Sequence, residues 1–388
     1  MSSAQVLPRF FAGLLLAGLA ACAQAAALPD AFTAALKQAG IPLTHVAVQV
    51  QPLDADQPLL SHNADAALNP ASVLKLVTSF AALHQLGPAY TWTTDVWADG
   101  PIADGVLQGN LIIKGHGDPA LTLERIWLLQ RELRARGVRH IRGGLVLDTS
   151  HFNLPAIDPG AFDDTPLAPY HAPPGALVAN FNAITLRLKP ETDQVRIVPD
   201  IALPGVTLTS RLLLTDSACN GWRSALAPAF SDDTRTELVI SGVYPRGCGE
   251  QAWSLNLFAP ATTFDFVFRD LWTESGGTLA GATVEGTAPT SEPLLQFASE
   301  PMSQVLYRLN KHSNNLMTRN LFLTLGAQRH GAPATLEKAE AAVRELMAQR
   351  GVPTHKLVLE NGAGLSRIER ISADTLTRLL HAAYRSPL

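Results

Sequence analysis

A densely apolar helical pattern opens after Pro70 and stops at Gly87-Pro88, and sustained helical periodicity returns only from about Met302. In the first stretch Val73, Leu74, Leu76, Val77, Phe80, Ala81 and Leu83 cover most of a helix circumference, which predicts a deeply buried helix. The glycine-then-proline pair is a strong stop. The roughly 200 residues that follow read as short β-like runs separated by Gly, Pro, Asp and Asn. These runs are Thr93–Trp97, Asn110–Lys114, Gly144–Asp148, Ala183–Leu188, Val195–Val198 and Glu237–Ile240, with one helical pattern, Leu121–Arg136, among them. Beyond them, Met302, Val305, Leu306 and Leu309 keep a helical spacing and an apolar run covers Leu316–Leu325. Leu336–Arg350 is an amphipathic helix closed by Gly351, and Ser372 caps a last helix reaching Tyr384. Ahead of all this, residues 44–51 alternate in the strand period and a second short strand covers Pro58–Ser61. The pattern predicts an α+β domain built from residues 26–90 and 296–388, split by a strand-rich insertion over 91–295, with no internal repeat.

Composition excludes several classes. At ~100–200 residues per domain, 388 residues leave room for two or three domains. A hydrophobic fraction of 47% excludes a disordered chain. A formal charge of −4 without a basic block excludes a dedicated nucleic-acid binder. Residues 1–25 read as a secretory signal peptide: Arg9 is a thin positive region, Phe10–Leu19 a short apolar core, and Ala23-Gln24-Ala25 a small-residue cleavage site. The alternative is lipoprotein processing, because Leu19-Ala20-Ala21-Cys22 would place a lipid on Cys22. No stretch approaches ~18 uninterrupted apolar residues, so no membrane span is expected. Once the signal is removed, Cys219 and Cys248 remain, and in an exported protein such a pair most simply forms one disulfide. Two free buried thiols are the alternative. A two-cysteine metal site lacks nearby histidine partners, and no metal or other cofactor is expected. Lys114-Gly115-His116-Gly117-Asp118 matches no phosphate-binding pattern and reads as a turn.

Ser72-Val73-Leu74-Lys75 carries the chemistry. Three residues apart at a helix start, the hydroxyl and the amine lie on one face within mutual reach. A lysine acts as a general base only when neutral, which requires desolvation or a nearby cation, and a buried helix supplies the first. A serine nucleophile with a lysine base is an established variant of serine-hydrolase logic. Lys75 is the one lysine of seven with a serine three residues before it. A second element, Ser313-Asn314-Asn315, lies between two helical segments, and serine–lysine acyl-transfer enzymes use such a Ser-x-Asn for proton transfer and substrate holding. The same spacing recurs at Ser61-His62-Asn63 and Ser254-Leu255-Asn256; Ser313 is preferred because it lies in the helical half that resumes after the insertion.

Further stretches then fall into a recognisable order: Asn69 to Thr78, Gly109-Asn110-Leu111 leading to Gly117-Asp118-Pro119, Gly144 to Asp148, Ala172 to Leu177, Ser313-Asn314-Asn315, and Gly362 to Arg367. Together they resemble the D-alanyl-D-alanine carboxypeptidase/endopeptidase family of low-molecular-mass class C penicillin-binding proteins. The resemblance implies a penicillin-recognising transpeptidase/β-lactamase-like domain split by insertions, in a periplasmic protein that trims or cuts the stem peptides of peptidoglycan and is acylated by β-lactam antibiotics. By position, Ser72 is the acylated nucleophile, Lys75 its base, Ser313 a proton relay and Asn315 an orienter of the substrate amide. Asp148 and Arg367 match positions linked to the substrate's side chain.

The family's third motif, Lys-Thr-Gly, is absent from the sequence; the last lysine, Lys356, is followed by Leu357-Val358. The resemblance therefore implies a truncated form lacking a carboxylate anchor and one oxyanion donor. The loss of one such donor costs on the order of 10²–10³ in rate, so impaired turnover is expected. Two alternatives are a non-catalytic peptidoglycan- or penicillin-binding protein of the same fold and a serine β-lactamase; a Glu-x-x-Leu-Asn deacylation element is absent.

Overall fold

The computed structural model describes residues 27–388, so the signal segment and Cys22 lie outside the described residues. The chain divides into two compact units, up to Ala64 and from Asp65 onward. The first holds helix α1 (Asp30–Gln38) and a two-stranded antiparallel ladder, Val48–Val50 against Leu60–His62, with Val48 opposite His62.

In the second unit, α2 (Lys75–Leu86) is preceded by a 3₁₀ turn over Ala71–Leu74. Five further long segments complete its helices, and a sixth closes the chain: α3 (Leu123–Ala135), α4 (Pro260–Glu274), α5 (Met302–His312), α6 (Asn315–His330), α7 (Leu336–Gln349) and α8 (Ala373–Tyr384). The main sheet of the strand-rich region has the order 284–285, 145–148, 110–115, 93–99, 295–298. Its centre is mixed: Asn110–Gly115 runs parallel to Leu145–Asp148 and antiparallel to Thr93–Asp99. Two three-stranded sheets follow, one ordering 195–199, 184–190, 251–255 and the other 207–215, 237–245, 226–230. The alternation read from the sequence fixes which face is buried. Leu111 and Ile113, with Leu145 and Leu147, are inside, and they share one core with Ile126, Leu129 and Leu133 of α3 and with Phe264, Phe268 and Trp272 of α4.

α4 corrects the sequence reading, which allowed one helix in this region. The residues of Phe264-Asp265-Phe266-Val267-Phe268 are weak helix formers. The longer pattern Phe264, Val267, Phe268, Trp272 is helical, and Pro260 at the first helical position starts it well.

The second core is helical, uniting Leu74, Val77, Phe80 and Ala81 of the α2 region with residues of α5 to α8. α6 is its axis: every residue from Asn315 to Ala327 is buried. Gly326 permits the close crossing of α7, because a Cβ there would lie 2.6 Å from the Ala339 backbone nitrogen. Asn320 ties this helix to the strand-rich region. Its Nδ2 donates to the carbonyls of Gly117 and Gly175 and its Oδ1 accepts from the Gly175 N–H. The deep burial expected of α2 holds from Val77 to Ala82, where every residue is buried; of the residues expected inside, only Val73, in the preceding turn, and Leu76, in the first turn, are exposed, at 47% and 37%. Among the described residues no helix is long and apolar enough to cross a membrane.

Cys219 and Cys248 form a disulfide that joins two loops 29 residues apart in sequence. In the chain-entropy account, closing a loop of this length stabilises the fold by about 3–4 kcal/mol. Replacing both cysteines by serine should lower the unfolding free energy by about that amount in urea titration, with the midpoint falling and the slope rising as the released unfolded chain exposes more surface.

Candidate active site

Ser72 sits in the 3₁₀ turn and Lys75 opens α2, so the pair straddles the change of helix type. Ser72 is exposed, whereas Lys75 is 2% exposed. Lys75 Nζ donates to Ser72 Oγ at 2.9 Å, to Asn315 Oδ1 at 2.7 Å and to the Ala363 carbonyl at 2.6 Å. An ammonium has three N–H donors, so its hydrogen-bonding capacity is filled. Burial first, and then the nearby Arg319 guanidinium, pull the Lys75 ammonium down to about 8 against the opposing charge of Glu369. A lysine tuned toward neutral pH beside an exposed hydroxyl has the arrangement a general base needs.

The turn that carries Ser72 is tightly constrained. Ala71 has φ +46°, an uncommon conformation for a residue with a side chain. Asn69 holds it, accepting from the Ala71 N–H at 2.9 Å and donating to the Ser366 carbonyl at 2.8 Å. Backbone bridges between Leu68 and Ile371 and between Val358 and Arg370 bring the 362–367 loop alongside. Gly364 meets Ala71 so closely that a Cβ would lie 1.8 Å from the Ala71 carbonyl oxygen, and its φ is +82°.

That loop is wrapped around one buried anion. Glu369, fully buried, accepts at Oε1 from the N–H groups of Glu360, Asn361 and Gly362, and at Oε2 from the Gly364 N–H. Four backbone donors converging on a carboxylate form an anion nest, which fixes the Ala363 carbonyl that Lys75 uses. Thr78 of α2 adds a bond to the Gly362 carbonyl at 2.7 Å. The sequence reading missed Glu369. Its signal was an acid following Asn361-Gly362-Ala363-Gly364, where two glycines at positive φ let successive N–H groups converge.

Asn315 begins α6 just after a left-handed turn at Ser313, which has φ +53° and is exposed at the end of α5. The Asn315 Oδ1 serves Lys75 and its Nδ2 donates to the Tyr170 carbonyl at 3.1 Å. Asn314 caps α6, its side chain accepting from the Met317 N–H. The structure thus joins Ser72, Lys75 and Asn315 by hydrogen bonds and places Ser313 on the turn that delivers Asn315. Arg319, one turn further along α6, is 8% exposed and donates to the Ala172 carbonyl at 3.4 Å.

The other two site residues lie elsewhere. Arg367 is exposed on the 362–367 loop, its guanidinium 4.0 Å from the centre of the Phe162 ring and bonded to the Phe162 carbonyl. Asp148 is fully buried, accepting from the N–H groups of Ser150 and Ala288 and paired with Lys114 at 3.3 Å. His116 of the neighbouring turn pairs with Asp95 at 3.0 Å, and Asp118 accepts from the Ala120 N–H.

Residues 28–388 match the D-Ala-D-Ala carboxypeptidase 3 (S13) family model, and the chain belongs to that family. It is 29% identical over 345 residues to a D-alanyl-D-alanine carboxypeptidase of Actinomadura sp. (strain R39), a match covering 85% of this chain and 62% of that one. It is 25% identical over 334 residues to the D-alanyl-D-alanine carboxypeptidase DacB of Haemophilus influenzae, covering 84% of this chain and 68% of that one. The chain therefore spans about two thirds of the length of these relatives. Its fold is that of penicillin binding protein 4 (dacB) from Haemophilus influenzae, with a TM-score of 0.76 at 23% identity over 92% of this chain and 79% of that one. A second structure of that protein, complexed with a β-lactam, matches with a TM-score of 0.69 at 23% identity, over 88% of this chain and 76% of that one. The α+β, penicillin-recognising transpeptidase-like fold expected from the sequence is therefore the one observed.

Two substitutions test the loop. Glu369→Gln removes the charge that gathers four N–H groups and should lower stability by at least about 2 kcal/mol, read by thermal or urea unfolding. Gly364→Ala must displace either the 362–367 loop or the Ser72 turn, and should be destabilising by a similar margin in the same assay.

Proposed function

We propose that this chain is a serine-type D-alanyl-D-alanine carboxypeptidase/endopeptidase that acts on periplasmic peptidoglycan through an acyl-serine intermediate. The observation that carries the proposal is the 2.9 Å bond from a buried, pKa-lowered Lys75 to the exposed Ser72 hydroxyl. In its neutral form Lys75 takes the Ser72 proton as Oγ attacks the carbonyl carbon of the penultimate D-alanine. The tetrahedral intermediate then expels the terminal amine, which leaves with a proton, and the stem peptide remains as an ester on Ser72. Water, deprotonated by the same lysine, hydrolyses that ester and regenerates the hydroxyl. Ser313 relays the proton toward the leaving amine, a duty suited to an exposed hydroxyl on the turn leading to Asn315. Asn315 holds Lys75 in place and orients the substrate amide.

In this reading a β-lactam enters the same attack, its ring opening to leave an acyl enzyme on Ser72. Arg367 offers an exposed cation to the substrate's side chain, and Asp148 acts from behind the surface, since its carboxylate is enclosed. The proposal places the protein in the periplasm, exported by residues 1–25, with a lipid on Cys22 as the other route to the same compartment. It assigns no cofactor, metal or nucleic-acid partner.

Fluorescent penicillin should label the full chain covalently, and Ser72→Ala should abolish the label. Lys75→Ala should slow labelling by about 10²–10⁴, the scale of a lost general base. A label that survives Ser72→Ala would overturn the assignment of the nucleophile.

A further inference from the structure

Beside the candidate active site lies a groove of about 980 Å³ between the 164–170 segment and the strands Leu226–Phe230 and Gln251–Leu255. Its lining is mostly proline, alanine and leucine, among which Tyr170, Phe230 and Trp253 offer ring surface and Arg223, Ser224 and Ser254 offer donors and acceptors. Tyr170 is 43% exposed, yet its hydroxyl is held by Asp163 at 2.7 Å and Thr165 at 2.9 Å, so the ring is fixed without being covered. Trp253 is braced by an edge-on contact with Trp222, which is itself covered by the Arg223 guanidinium at 5.0 Å. The Cys219–Cys248 disulfide closes the loop that presents Trp222, Arg223 and Ser224. Nothing in the serine–lysine chemistry uses this platform.

We infer that this groove binds the N-acetylated glycan to which the stem peptide is attached, an inference that rests on the function proposed above. Flat aromatic faces rimmed by hydroxyl and guanidinium groups suit a sugar, which presents apolar C–H faces and polar edges. Continuity with the active site fixes the occupant. The Tyr170 carbonyl holds Asn315 at 3.1 Å, Asn315 holds Lys75 at 2.7 Å, and Lys75 holds Ser72 at 2.9 Å. The whole relay is shorter than an extended stem peptide of about five residues, at ~3.3–3.6 Å per residue. With the peptide's C-terminal end at Ser72, its glycan-linked end can therefore reach the Tyr170 side of the groove.

The test is a binding titration of the full chain carrying Ser72→Ala, which prevents turnover, with three probes: disaccharide-pentapeptide, the same free pentapeptide, and peptide-free glycan strands. The disaccharide-linked peptide should bind about tenfold more tightly than the free one. Trp253→Ala and, separately, the exposed Arg223→Ala should remove most of that gain while leaving free-pentapeptide affinity unchanged. In the Ser72-intact chain both substitutions should leave penicillin labelling unchanged. Arg223→Ala keeps the test decisive if Trp253→Ala disturbs the fold. Equal affinity for the two peptide probes, or a gain that survives both substitutions, would overturn the inference. So would a loss of free-pentapeptide binding in Trp253→Ala, which would put peptide in the groove. If the unsubstituted chain takes no penicillin label, the proposed chemistry fails separately; glycan-strand binding that Trp253→Ala abolishes would still support the groove.

Discussion

A lysine ammonium taken out of water must find acceptors for three donors, and that requirement organises the second unit of this protein. The three acceptors of Lys75 come from three distant stretches of chain: the turn before α2, the first residue of α6 and the loop at Ala363. Two of these acceptors are fixed by further bonds. Asn315 is oriented by the Tyr170 carbonyl, which belongs to the strand-rich region, and Ala363 by the nest around Glu369. The strand-rich region therefore does more than occupy space beside the helices. Through Tyr170 and through the three bonds of Asn320, it sets where α6 presents its first turn.

The same requirement explains the charge arrangement. A buried cation with no anion nearby would lose its proton outright, and one paired directly to a carboxylate would keep it too firmly to act as a base. Here Glu369 directs its hydrogen bonds to four backbone N–H groups and makes none to Lys75, on which its charge acts from a distance, while Arg319 acts in the opposite sense. The outcome is a lysine pulled down to about 8, partly neutral under physiological conditions and adjacent to a hydroxyl that solvent can reach.

Much of this was legible in the sequence because it rests on local patterns. The Ser72–Lys75 spacing, the alternation of Asn110–Lys114 and Gly144–Asp148, and the helical periods after Met302 all depend on residues a few positions apart. What could not be read depends on distance. The role of Glu369 emerges only when the chain curls back on itself, and that of Tyr170 lies in a carbonyl that every residue possesses. The exposure of Val73 and Leu76 depends on what packs against α2, which a helical wheel does not reveal. Local pattern also missed α4, where weak helix formers such as Phe, Val and Asp obscure a longer helical period. The pairing of Cys219 with Cys248, expected from export and residue count, is present.

The central claim is that Lys75 is desolvated enough to lose its proton near physiological pH, and direct titration of the lysine side chains tests it. With only seven lysines, NMR of chain labelled at the lysine ε-carbon should resolve each one. The account predicts one resonance, absent from a Lys75→Arg variant, that titrates near pH 8, well below the ~10.4 of an unperturbed lysine. A Lys75 resonance that titrates in the ordinary range above pH 10 would contradict it.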